Sequence, residues 1–139
     1  MPMPLEYQRA AADFDRLLDI ARESAGLATR NQAYTMIQGV FIVFRRRLEL
    51  ADAIRFAQVL PAVARALFVA DWDLGAPLLP FEDREALTRE VQALRRHHNF
   101  APDTCIRDVA RAVRACCDGA DLDRILSTLS PQARAFWAG

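Results

Sequence analysis

Slid by 69 residues, this chain overlays itself. Thr35–Phe68 then lies over Thr104–Trp137 without a gap, and eleven of the 34 pairs are identical. They include Thr35/Thr104, Ile37/Ile106, Arg45/Arg114, Asp52/Asp121, Arg55/Arg124, Leu60/Leu129 and Arg65/Arg134. Elsewhere the character holds, as in Phe44/Val113, Phe56/Ile125 and Phe68/Trp137. A repeat of this kind constrains the fold strongly, because each copy is one supersecondary unit that buries its apolar face only against its neighbour. The expectation is one domain over 1–139, with repeats at about 12–70 and 82–138 and a connecting loop at 71–81.

The periodicity inside each copy is helical. Phe14, Leu17, Leu18, Ala21 and Ala25 recur at three- and four-residue steps, and Gly26 follows as a stop. Thr29 and Gln32 have capping-box spacing at the start of a second helix, expected to run to about Arg47. Its stripe of Ala33, Ile37, Val40, Phe41, Phe44 and Leu48, widened by Met36 and Val43, marks it as central. Asp52 is expected to cap a third helix, and Pro61 suits the first turn of a fourth. The second copy repeats the plan. A helix from about Glu82 to Arg96 precedes one that Pro102 and Asp103 open and Gly119 stops. Asp121 is the expected next cap, then Ser130-Pro131. No run alternates with strand period. The predicted fold is all-α, about eight helices in two tandem four-helix repeats packed as one globular unit.

Composition removes much of the enzymatic repertoire. All 18 basic residues are arginine, which excludes a Schiff-base or phosphate-loop lysine. Five glycines form no phosphate-cradling loop, and none of the three serines (Ser24, Ser127, Ser130) sits in a nucleophile elbow. Up to Ala70 there are nine arginines against seven carboxylates, and beyond it nine against eleven. Halves of +2 and −2 are too weakly charged to steer the chain to nucleic acid or an anionic membrane. The N-terminus reads as charged and amphipathic, with no apolar signal core. Three cysteines, two adjacent, make no disulfide framework, so a reduced, cytoplasmic setting is expected.

Arg47-Leu48 … Asp52-Ala53, Leu60-Pro61 … Arg65 and Trp72-Asp73 resemble the bacterial family called domain of unknown function 2267. The resemblance covers about residues 14–137. It implies an all-helical, internally duplicated protein whose last helix in each half opens on a leucine–proline step. In the second half Leu129-Ser130-Pro131 departs from that step, which is expected to move the last helix by one position. No activity, cofactor or site residue comes with the resemblance.

Side chains kept in both copies, such as Asp52/Asp121 and Arg55/Arg124, are explained by folding. Arg45/Arg114 and Arg65/Arg134 suit bonds to carbonyls or carboxylates between helices. The triple Arg45-Arg46-Arg47 reads as a helix end facing water. The acidic run Asp71, Asp73, Glu82, Asp83, Glu85 and Glu90 reads as a solvated loop and a negative first turn. The candidate metal ligands are His97, His98 and Cys116, but their spacing matches no zinc arrangement. Cys105 and Cys117 overlie Met36 and Leu48 and read as small core residues, while Cys116 overlies Arg47 and is the expected exposed thiol. Trp72 stands in the loop beside Leu74, Leu78, Leu79 and Phe81, either plugging the seam between the copies or forming a contact surface. The functional expectation is a non-enzymatic helical module that binds a protein partner or self-associates, without a cofactor. The alternative is a small metal-binding protein or metal-dependent enzyme using His97 and His98 with a cysteine or carboxylate.

Overall fold

A short turn, α1 (Leu5–Gln8), leads into α2 (Ala10–Ala25), α3 (Arg30–Arg45), α4 (Leu50–Ala57) and α5 (Ala62–Val69). An irregular segment follows, then α6 (Arg84–Ala93), a 3-10 turn (Arg96–His98), α7 (Cys105–Cys116), α8 (Gly119–Leu126) and α9 (Pro131–Trp137). This computed structural model describes residues 1–138, and among them it is all-helical, with nine α-helices and no strand. The helix beyond the expected eight is α1.

Local signals place most of the ends. Gly26 takes the left-handed backbone (φ 68) that closes α2. Thr29 Oγ1 accepts from Gln32 N at 3.1 Å, and Gln32 Oε1 accepts from Thr29 N at 3.2 Å, so the capping box is complete. Ser130 caps α9, with Pro131 in its first turn. α9 therefore opens 69 residues after α5, and the expected one-position shift does not occur.

Four expected ends are corrected. Asp52 and Asp121 are not caps; each lies in a first turn and pairs with Arg55 or Arg124, at 2.5 and 2.8 Å. The residue that caps α8 is Asp118, whose carboxylate accepts from Asp121 N. Gly119 opens α8 instead of stopping α7, because the cap three residues before Asp121 starts the new helix earlier. α6 is shorter than expected: Asp83 caps it and Leu94 leaves helical geometry, so Arg95 and Arg96 fall outside it.

α3 is the central helix. All eight residues of its predicted stripe are buried, and Phe41 and Phe44 enter an aromatic cluster with Phe56, Phe68, Phe136 and Trp137. Ring centroids stand 4.8–5.4 Å apart along these contacts, the range of favourable offset and edge-on pairs. α2 packs on α7 and α3 on α6. Asp108 joins the first of these pairs. Fully buried on α7, it accepts Ser24 Oγ from α2 at 2.6 Å and Thr104 Oγ1 at 2.7 Å. Those hydroxyls satisfy a carboxylate that would otherwise be costly to bury.

Candidate functional site

The site begins with the arginine run, where burial contradicts the expectation of a water-facing helix end. Arg45 is the last residue of α3, two short of the expected end near Arg47, and Arg46 and Arg47 stand in the following turn, so the three side chains part company. Arg45 and Arg47 turn inward and only Arg46 is half-exposed. Arg45 Nη1 donates to Phe68 O at 2.9 Å and Ala70 O at 2.8 Å, closing the carbonyl end of α5. Burial pushes its guanidinium below the ordinary value, repulsion from Arg46 adds to the shift, and Asp71 opposes it. Arg47 is held by Glu90 through two bonds of 3.1 and 2.6 Å, by Val43 O at 2.9 Å and by Pro80 O at 3.0 Å. Glu90, read as part of a solvated acidic stretch, is thus the counter-ion of a buried cation. It also takes Arg46 at 2.9 Å.

These bonds fix both ends of the loop between α5 and α6. Asp71 turns the chain with a left-handed backbone (φ 53), and Trp72 lies half-buried over the Arg45 guanidinium, 5.5 Å from ring centroid to carbon. Such a cation–π contact contributes about 0.5–1 kcal/mol at a partly exposed site. At the far end Leu79 N donates to Arg46 O at 3.0 Å. Phe81 then reaches Phe44, with centroids 6.3 Å apart. Trp72 and Phe81 both pack against the core from this loop, Phe81 through Phe44. Leu74 and Leu78 point outward, 65% and 53% exposed.

Between this loop and the end of α3 lies a hollow of about 520 Å³. Ile42, Arg45, Arg46 and Trp72 form its inner wall, and Leu50, Leu74 and Leu78 stand at its rim. Glu49, Asp71 and Asp73 also line it, and they join none of the ion pairs among the described residues. The result is a leucine-rimmed concavity whose unpaired charges are the carboxylates Glu49, Asp71 and Asp73, set against buried Arg45 and the Glu90-paired Arg46. Small-molecule pockets of this size keep their apolar groups inside. Here three leucines are offered to the exterior, as in protein contact surfaces.

The other sequence candidates do not assemble. His97 and His98 are exposed on the 3-10 turn. Cys116 is half-buried at the end of α7, where Arg16 from α2 lies 3.8 Å from its sulfur. Among the described residues no group of three or more His, Cys, Asp or Glu gathers closely enough to hold a metal ion. Cys105 is buried as expected, but Cys117 is half-exposed like Cys116, because it lies just past α7 and leaves the helix stripe. Burial pushes all three thiols up, Cys105 and Cys117 to about 11. Sequence reading missed the inward turn of Arg45 and Arg47. One signal was available: Arg45 stands four residues beyond Phe41, on the edge of the apolar stripe.

A family model described as "Uncharacterized conserved protein (DUF2267)" matches residues 14–136. The chain belongs to this family. The match takes in α3, the loop with Trp72 and every residue lining the hollow, and leaves α1 outside. A search of the curated proteins finds no match.

Proposed function

We propose that this chain is a non-enzymatic, protein-interaction module whose docking surface is the hollow beside Trp72. The carrying observation is the outward exposure of Leu50, Leu74 and Leu78 around a concavity whose base is pinned by buried, hydrogen-bonded arginines. A rigid base lowers the ordering cost of association, and half-buried Trp72 is the type of residue that concentrates binding energy. Among the described residues His97, His98 and Cys116 join no group close enough to hold a metal ion, which favours the interaction reading over the metal-binding alternative. The three unpaired cysteines support a reducing, cytoplasmic setting. A duplicated origin for 12–70 and 82–138 is supported by paired details. α4 and α8 begin and end 69 residues apart, and Arg65 and Arg134 donate to Leu60 O and Leu129 O respectively.

The test is a photo-crosslinking side chain placed at Leu74 in living cells, with adducts identified by mass spectrometry. A discrete protein adduct that Trp72→Ala abolishes, in a variant that still melts cooperatively, is the expected result. No adduct beyond that of the same probe at exposed Glu23 overturns the reading.

A further inference from the structure

The occupant of the hollow follows from a second surface on the same chain. Residues 95–100 form a hook. Arg95 takes a left-handed backbone (φ 51), Arg96–His98 make the 3-10 turn, and Asn99 locks the return. Asn99 Nδ2 donates to Val91 O at 2.8 Å and Leu94 O at 2.7 Å, while its Oδ1 accepts from Ala101 N at 3.0 Å. This anchoring presents Arg95, Arg96, His97 and His98 to the exterior, and none of them joins an ion pair among the described residues. Beside them Phe100 is 60% exposed, although a large aromatic is ordinarily buried. The hook is thus basic with an aromatic knob, and the hollow is acidic with an apolar rim.

Both surfaces lie on one side of α3. Asn99 sits over Gly39, where an added Cβ would come 3.9 Å from its Nδ2. Ile42 and Arg46 of the hollow follow three and seven residues later, spacings that return to the same side of a helix. Seven residues advance the helix by about 10 Å. A two-fold axis places patch i of one copy on patch j of the other and the reverse, so two neighbouring patches of opposite charge are self-complementary.

We propose that the hollow receives the hook of a second copy of this chain, in a two-fold dimer. Phe100 enters the leucine rim, and the basic run faces Glu49, Asp71 and Asp73. The proposal rests on the docking reading above and names its partner.

Arg96→Glu and Glu49→Arg alter exposed positions and test it through sedimentation velocity, with circular dichroism as the folding check. The wild type is expected to dimerise in about the micromolar range. Each variant alone weakens the dimer by about tenfold or more, since both contacts of its homodimer become like-charged. An equimolar mixture of the two variants recovers the dimer, because the mixed pair has one unaltered contact and one with both charges exchanged. A wild type that stays monomeric to about 300 µM, a dimer indifferent to both variants, or a mixture that fails to recover overturns the proposal. A monomeric chain whose Leu74 probe still captures a different protein overturns the dimer and leaves the docking reading standing. A monomer with no adduct overturns both.

Discussion

Glu90→Gln keeps the side-chain shape and removes the charge that balances a buried arginine. Arg47's side chain is only 2% exposed, and Glu90 supplies two of its four hydrogen-bonding contacts. Breaking one partner of a fully buried pair costs about 3–5 kcal/mol, because the remaining charge is left uncompensated. Glutamine retains one acceptor oxygen, and the Glu90 side chain is 22% exposed, so water moderates the loss. The expected destabilisation is about 2–3 kcal/mol. With a urea m-value near 2 kcal/mol/M, the unfolding midpoint at pH 7 falls by about 1–1.5 M. Arg47→Met removes the buried cation itself and leaves Glu90 paired with Arg46, so adding it to Glu90→Gln should recover part of the loss. A midpoint shift under about 0.3 M, or strictly additive losses in the double variant, would refute the claim that Arg47 is a dry, Glu90-dependent cation. The effect has a pH signature. Burial by itself would raise the Glu90 carboxyl, but hydrogen bonds and charge from Arg47 and Arg46 outweigh it and hold the group below its ordinary 4.5. A depressed folded value stabilises above the unfolded value, and that stabilisation is lost as pH falls through the folded one. The wild type's advantage over Glu90→Gln should therefore fade below about pH 4.5.

Thr29→Ala removes the α3 capping box and should lower stability by about 1 kcal/mol in thermal or urea melts. Gly26→Ala meets no atom within 4 Å but places a Cβ on a left-handed residue, so a loss of about 1–2 kcal/mol is expected from backbone strain alone. A thiol pushed up to about 11 by burial holds little thiolate. Native Cys105 should accordingly alkylate at pH 8 about 100-fold more slowly than a free thiol, and at the normal rate once unfolded, as intact-mass kinetics will show. Trp72→Phe should leave blue-shifted fluorescence from buried Trp137; an unchanged spectrum would mean that Trp72 is already quenched or buried.

Helix identity was readable in the chain because it depends on neighbours a few positions away. The stripe from Ala33 to Leu48, the Thr29 box and the Gly26 stop each follow from spacing and side-chain chemistry. Caps were read less well where carboxylates cluster. Asp118, Asp121 and Asp123 offer three plausible starts within one turn, and only the backbone trace selects the first. Family membership was likewise legible, since the runs around Leu48, Leu60 and Trp72 resemble the family and its model spans all three.

The site was a different matter. Trp72 drew attention by itself, as a large aromatic outside any helical stripe. Its setting did not, because a lone sequence cannot say what covers a polar residue. Arg45, Arg46 and Arg47 carry the same side chain at the end of α3 and in the turn that follows it, yet two are buried and one is half-exposed. The difference lies in groups 23 to 43 positions away: the carbonyls of Phe68, Ala70 and Pro80 and the carboxylate of Glu90. The same holds for Asp108, satisfied by Ser24 across 84 positions. Local periodicity settles which residues turn inward together. Whether an inward charge is tolerated is decided only by tertiary packing, since desolvating it is costly until distant partners replace its water.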